Sequence, residues 1–107
     1  MKITPQRTSP LEDVWVALDL ETTGLFADHD QIIEIGAVRF QGQKILDRYQ
    51  VFVNPHRRLT NFIESYTGIT QKDVDGAPSF SQVAGRLASF VGSSPVVGHN
   101  LAFDLGF

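Results

Sequence analysis

The stretch ALDLETTG, residues 17–24, decides which fold and which chemistry the chain is predicted to have. It closes an apolar run that starts at Val14, and it places two carboxylates, Asp19 and Glu21, two residues apart just before a glycine. Successive side chains of a strand point to opposite faces, so a strand over residues 14–20 would project both carboxylates from one side. Two negative charges held together need a cation, or protons, to offset their repulsion.

Composition narrows the class of protein. The 107 residues are 42% hydrophobic, which predicts one globular domain with a modest core. A net charge of −3 gives no basic field, so nucleic-acid binding would need local basic residues or metal ions. The absence of cysteine excludes disulfides and thiolate metal sites and agrees with a cytoplasmic protein. No signal peptide or membrane span is visible, and the polar residues 1–12 are expected to form a flexible arm.

Hydrophobic periodicity predicts four strands and two helices. Alternation and apolar runs place strands at residues 14–20, 31–40, 44–53 and 95–98, with a hairpin turn at Gly42. Helical spacing places a helix at residues 79–90, with Ser79 as N-cap and Gly92 beyond its last turn. Residues 54–62, NPHRRLTNF, are expected to be a turn or irregular, and a second helix is expected to begin at Asn100.

This order of elements predicts an α/β fold built on a mixed sheet. The first three strands would form an antiparallel meander, and a crossover helix would bring the fourth strand parallel to the first. The carboxyl ends of those two strands would then meet, at the edge where open α/β sheets bind ligands. Oxygen donors without cysteine favour a hard cation there, Mg²⁺ or Mn²⁺. The polar residues collected at this edge are Asp19, Glu21, His99, Asn100 and Asp104.

Three ordered motifs carry a family resemblance: DLETTGL at residues 19–25, TGIT at 67–70 and GHNLAFD at 98–104. They resemble the first motif, the intermediate loop and the second motif of the DnaQ-like, or DEDD, 3′–5′ exonucleases, which have a ribonuclease H-like fold. The resemblance covers residues 14–107 and extends to exonuclease domains of Gram-positive-type DNA polymerase III and of DinG-like helicases. It implies a single-stranded 3′ end of DNA or RNA as substrate, and a polymerase or helicase region of the same parent chain as partner.

The resemblance also implies roles for individual residues. Asp19 would bridge two metal ions, Glu21 would hold the first, and Asp104 would serve the second. Two ions would stabilise the attacking water and the leaving 3′ oxygen, releasing a nucleoside monophosphate. The backbone around the two threonines would hold the terminal nucleotide, the leucine would wedge against its base, and the glycine would let the chain turn sharply. The residues implied to bind substrate are Thr22, Thr23, Gly24, Leu25, Thr67 and Asn100, and His99 is implied to orient the site.

The carboxylates also have plainer interpretations. Asp19 and Glu21 could form an exposed acidic strand end, and Asp104 could be an acid near a helix N-terminus that Asn100 caps. Glu34, flanked by isoleucines, is expected to be a hydrogen-bonded structural carboxylate instead of a metal ligand.

The loop residues have alternatives as well. Thr22 and Thr23 could be ordinary turn residues, and Leu25 could serve in packing. Arg57 and Arg58 offer a basic spot for phosphate, although a solvated surface pair is the plainer interpretation.

Two departures from the family pattern bear on function. Thr67 stands where many relatives carry a histidine that contacts the terminal nucleotide. A third motif, a general-base His or Tyr shortly before a fourth Asp, is not found in the 107 residues, so residues 13–107 are expected to be the N-terminal part of an exonuclease domain, incomplete at the C-terminus and with little activity alone. The alternatives are a non-catalytic nucleic-acid-binding or scaffolding module and a ribonuclease H-type endonuclease.

Overall fold

The computed structural model describes residues 13–98, so the arm predicted at residues 1–12 and the helix predicted from Asn100 lie outside the described residues. Seven elements follow one another in this part of the chain. They are β1 (Val14–Thr22), β2 (Ile32–Gln41), β3 (Lys44–Phe52), α1 (Asn61–Thr67), α2 (Gln71–Asp75), α3 (Phe80–Val91) and β4 (Val96–Val97).

The described strands form one mixed sheet in the order β3-β2-β1-β4. β2 pairs antiparallel with both β1 and β3, whereas β4 runs parallel to β1 through the register Val16 to Val96 and Ala17 to Val97. The hairpin between β2 and β3 turns at Gly42, whose φ of 58° lies in the left-handed region that glycine tolerates. The predicted α/β fold, an antiparallel meander followed by a helix and a parallel fourth strand, is confirmed.

One face of the sheet is buried against α3. Val16 and Leu18 of β1 and Ile35 and Ala37 of β2 form a cluster with Val83 of α3. The helix begins and ends close to its predicted bounds. At its start the side chain of Gln82 accepts a hydrogen bond from the Ser79 amide at 2.8 Å, and at its end the amide of Gly92 donates to Ala88 O at 2.9 Å. The helix is therefore capped at both ends by local hydrogen bonds, in addition to packing its apolar face against the sheet.

Two short helices, α1 and α2, were not predicted. The expectation that residues 54–62 are irregular is wrong at its end, because α1 begins at Asn61. Thr60 caps this helix by accepting from the Ile63 amide at 3.1 Å, and Thr70 caps α2 in a capping box with Asp73. The two helices are held by a second apolar cluster, whose members are Ile33, Leu59, Ile63, Ile69 and Val74.

None of the helices in residues 13–98 is long and apolar enough to cross a membrane.

Candidate active site

The two carboxylates of the first motif lie on the same face of β1, as predicted. Asp19 is opposite Gly36 of β2, and Glu21 is opposite Glu34. Asp19 is exposed and Glu21 is half-buried. Residues two apart on a strand are separated by about 6–7 Å along its axis, so the side chains can converge on one ion. β1 extends two residues beyond the predicted bound, to Thr22, and this keeps Glu21 inside the paired strand.

Glu34 has the structural role predicted for it. Its Oε2 accepts a hydrogen bond of 2.8 Å from Nε2 of Gln50 on β3, the strand on the other side of β2. Like charges directly opposite each other destabilise a sheet, and the amide of Gln50 provides a donor that partly compensates Glu34. This hydrogen bond supports the prediction that Glu34 is a structural carboxylate, and the ligand role predicted for Asp19 and Glu21 stays a prediction.

An open groove, which we call the Asp19 groove, lies beside the exposed carboxylate and has a volume of about 640 Å³. Gly36 forms its floor opposite Asp19 and contributes no side chain, and Gly98 lies at the point where β4 ends. Arg48 of β3 also lines this groove, so one cation lies in the same cavity as the carboxylate. The groove combines an acidic group with space for a ligand and a basic side chain.

The donor set of this site suits a hard cation. Asp19 and Glu21 supply carboxylate oxygens on one face, and the chain has no cysteine to favour a softer metal. Within residues 13–98 no group of three or more His, Cys, Asp or Glu side chains could hold a metal ion. The described residues contain two of the three predicted ligands, Asp19 and Glu21, and the metal site itself stays a prediction.

The threonines that follow are engaged within their own loop, residues 22–31. Thr22 is buried, and its hydroxyl donates to Gly24 O at 2.5 Å. Thr23 donates from its amide to Gln31 O at 2.9 Å, and its hydroxyl accepts from the Gln31 amide at 3.0 Å. The described contacts of both threonines stabilise the loop. They agree with the plainer of the two sequence-based interpretations, in which Thr22 and Thr23 are turn residues.

Gly24 is explained by close approach and not by an unusual turn. Its φ is not among the positive values found in residues 13–98, whereas a Cβ built on it would collide with Asp30, with 2.7 Å to Cγ and 2.8 Å to Oδ1. The carboxylate of Asp30 occupies the space that any other side chain would need. Beyond this contact the loop presents Leu25 and Phe26, which are 75% and 64% exposed.

The TGIT motif joins α1 to α2. Gly68 ends α1 in the left-handed region at φ 78°, with its amide donating to Glu64 O. The hydroxyl of Thr67 donates to Ile63 O at 2.7 Å and accepts from the Ile69 amide at 3.1 Å. Ile69 is buried in the second apolar cluster. The described contacts of Thr67 therefore belong to the helix junction.

Three of the predicted site residues, His99, Asn100 and Asp104, lie outside the described residues. The described chain leads towards them, because β4 runs parallel to β1 and ends at Val97, beside the strand that carries Asp19. The roles implied for these three residues stay predictions.

Sequence reasoning missed three residues that the fold brings to the site. Asp30 hydrogen-bonds within the loop that follows Glu21, whereas Arg48 and Gln50 lie on the same face of the sheet as Asp19. Period-two alternation on β3 could have put Arg48 and Gln50 on one face. Only the register, with Gln50 opposite Gly36 and Gly36 opposite Asp19, shows that this face is the one with the carboxylates.

Comparisons with known proteins agree with this geometry. The exonuclease family model of the RNase T type matches residues 16–107. PolC-type DNA polymerase III of Halalkalibacterium halodurans is 42% identical over 97 residues, and that of Clostridium perfringens is 43% identical over 96 residues. These matches cover 91% and 90% of this chain, which spans about 7% of the length of these curated relatives.

Solved structures share the fold. Exonuclease X in complex with 5′ overhanging duplex DNA has a TM-score of 0.71 at 29% identity, over 84% of this chain and 51% of that one. Product-bound exonuclease I has a TM-score of 0.76 at 19% identity, over 89% of this chain and 24% of that one. With the family model, the mixed sheet and the paired carboxylates in agreement, the chain belongs to the DnaQ-like exonuclease family.

Proposed function

We propose that this chain is part of a 3′–5′ exonuclease domain that removes nucleoside monophosphates from single-stranded 3′ ends of DNA during replication. The observation that carries the proposal is the pair Asp19 and Glu21 on one face at the carboxyl end of β1, in a chain of the exonuclease family. PolC-type relatives support a replicative polymerase as the parent chain and, with it, a cytoplasmic location.

Asp19 and Glu21 would hold Mg²⁺ or Mn²⁺, with Asp104 as the proposed further ligand. When bound, such ions stabilise the charge on the attacking and leaving oxygens of phosphodiester hydrolysis. The described chain contributes the surface against which the substrate would bind. Within residues 13–98 the amides of Gly24 and Leu25 donate to no group, so these two N–H groups can bind the terminal nucleotide. Stacking of Leu25 on the base would be tolerant of sequence, as end-trimming requires.

Metal binding tests the ligand assignment directly. Mn²⁺ titrated into the chain should bind, and Asp19→Asn should weaken binding because it removes a charged ligand. Glu34→Gln is the matched control, since it neutralises a carboxylate on the same face of the sheet that is already hydrogen-bonded to Gln50. An equal loss of Mn²⁺ affinity in both variants would show that the ion responds only to the overall negative charge of this face. Unchanged affinity in Asp19→Asn would overturn the assignment of Asp19 as a ligand.

Product analysis tests the reaction. A 3′-labelled single-stranded oligonucleotide should release mononucleotides with the chain extended by the downstream residues of its parent gene. The 107-residue polypeptide should release few, because absence of a general base alone typically costs about 10²- to 10⁴-fold. Strong trimming by the 107 residues would show that His99 or another residue among them is the base.

The same assay separates the other functions. Internal cuts by the extended chain would indicate a ribonuclease H-type endonuclease. Binding of the oligonucleotide without cleavage would indicate a nucleic-acid-binding or scaffolding module. Matched DNA and RNA oligonucleotides would identify the sugar that the site accepts.

A further inference from the structure

We propose that Asp30 is a positioning residue for nucleotide binding: its carboxylate clasps the loop of residues 22–31 and thereby holds Leu25 and Phe26 in place against the terminal base. The inference rests on the proposed function and adds to it a residue that takes no part in metal binding.

The carboxylate of Asp30 contacts the opposite arm of the loop and the tip of the loop. Its Oδ1 accepts from the Thr23 hydroxyl at 3.0 Å, and its Oδ2 accepts from the Phe26 amide at 3.0 Å. The amide of Asp30 donates to Phe26 O at 2.7 Å, so the two residues are joined twice. The clasp therefore joins Asp30 to Phe26, four residues before it, and to Thr23, seven residues before it.

The hydrogen bonds require a carboxylate at this position. The hydroxyl of Thr23 accepts from the Gln31 amide, so its own hydrogen is available for Asp30. The Phe26 amide can only donate. Two donors therefore point at two different oxygens of Asp30, and an ionised carboxylate accepts both at once. An asparagine has one acceptor oxygen and would lose one of the two bonds.

Gly24 shows that the loop is built around this carboxylate. The Asp30 side chain is only 19% exposed and lies where a Cβ on Gly24 would be. Any residue with a Cβ at position 24 would therefore displace the Asp30 carboxylate. The residue next to this contact, Leu25, is the one that the family resemblance places against the base.

The tip of the loop is apolar and extends into solvent. Leu25 and Phe26 are among the most exposed large hydrophobic side chains of residues 13–98, and Phe26 has an edge contact with His29 at 6.4 Å between ring centroids. Exposed apolar side chains on a short loop lose more entropy on binding when the loop is mobile. A clasp that fixes the backbone removes part of that cost before the nucleotide arrives.

Arg57 connects the clasp to a second segment. Its Nη1 lies 3.9 Å from Asp30 Oδ1, and the side chain is 42% exposed. A pair of this length and exposure adds little stability, so the clasp depends mainly on Thr23 and Phe26. Arg57→Gln is therefore expected to affect nucleotide binding less than Asp30→Asn does.

The test measures binding of thymidine 5′-monophosphate in the presence of Mg²⁺ to the 107-residue chain and to Asp30→Asn. Loss of one charge-assisted hydrogen bond should weaken nucleotide binding by about tenfold, while binding of Mg²⁺ alone is unchanged. Thr23→Val breaks the same clasp from the other arm and should give the same defect without adding to that of Asp30→Asn. Asp28→Asn is the matched control, because Asp28 is an exposed carboxylate of the same loop whose Oδ2 lies 3.8 Å from His29 Nε2 and which, within residues 13–98, hydrogen-bonds to neither Thr23 nor Phe26.

A second measurement separates positioning from simple destabilisation. Backbone ¹⁵N relaxation should show the Leu25 and Phe26 amides ordered in the unchanged chain and mobile in Asp30→Asn. A residue that only stabilises the fold would lower the melting temperature without changing nucleotide affinity or loop order in the folded protein.

The outcomes distinguish this inference from the proposed function. Normal nucleotide binding and an ordered loop in Asp30→Asn would overturn the role of Asp30 and leave the exonuclease proposal intact. If the unchanged chain and its extended form bind no nucleotide in Mg²⁺, the proposed function falls and this inference falls with it.

Discussion

The side chains of β1 alternate between two faces of the sheet, one packed in the hydrophobic core and the other lining the Asp19 groove. On one face Val16 and Leu18 are buried against α3. On the other face, Ala17 follows Val16 and is half-buried, and Asp19 follows Leu18 and is exposed beside the Asp19 groove. Adjacent residues of one strand therefore line the core and the groove alternately, because alternation places them on opposite sides of the backbone. If the separation is real, substitutions on one face should change stability and those on the other should change binding.

The largest expected effect is on the face covered by α3. Ile35→Ala removes a fully buried side chain from the first cluster and should lower the free energy of unfolding by about 2–5 kcal/mol. Chemical denaturation measures it. The control is its neighbour Gly36→Ala on the other face, where a Cβ would meet only Asp19 O at 3.8 Å and the change should stay within about 1 kcal/mol. Equal losses would mean that the two faces are not independent.

The next effect lies in the loop. Gly24→Ala forces a methyl group against the Asp30 carboxylate and should lower the free energy of unfolding by about 1–3 kcal/mol. Gly85→Ala, in α3, meets nothing within 4 Å and should be neutral or stabilising by up to about 1 kcal/mol. Thermal melting of the two variants compares them. A neutral Gly24→Ala would show that the loop can open without cost.

A smaller effect compares two arginines on opposite faces. The guanidinium of Arg39 lies 4.4 Å from the Phe90 ring centroid, and its Nη2 donates to Phe90 O at 2.6 Å. Arg39→Met should therefore lower the free energy of unfolding by about 1–2 kcal/mol. Arg48→Met changes an exposed side chain of the Asp19 groove and should leave stability unchanged. A larger loss for Arg48→Met would contradict the assignment of its face.

The smallest effect on stability should come from Asp19, the residue proposed to bind the metal ions. Asp19→Asn should change the free energy of unfolding by about 0.5 kcal/mol or less without metal, with a gain if repulsion from Glu21 is relieved. Saturating Mn²⁺ should stabilise the unchanged chain and not the variant, since a ligand stabilises the state that binds it. Melting curves with and without Mn²⁺ measure both. Similar metal-induced shifts in the two proteins would place the ion elsewhere.

Sequence patterns within a few residues predicted the elements that have a clear periodicity, turn residue or helix cap. The alternation of β1, the hairpin at Gly42 and the caps of α3 at Ser79 and Gly92 are each determined within a few residues. The short helices α1 and α2 were missed although Thr60, Thr70 and Asp73 are capping residues, because helices of seven and five residues show too little periodicity. They are stable here because Ile63 and Val74 are buried in the second apolar cluster.

The sequence by itself determined that Asp19 and Glu21 share a face, that β4 follows a crossover helix, and that the motifs belong to an exonuclease family. These follow from spacing along the chain. Only the tertiary structure decided that Gln50 hydrogen-bonds to Glu34, that Arg48 lines the Asp19 groove, and that Asp30 fills the space at Gly24. For Gln50 and Arg48 the physical reason is strand register, whereas for Asp30 it is the way the loop of residues 22–31 folds back on itself. The register of β2 and β3 shifts between Arg39 and Phe40, and the register of β1 and β2 shifts between Glu21 and Thr22. Which residues face each other across the sheet therefore depends on how the strands pair and not on spacing along the chain.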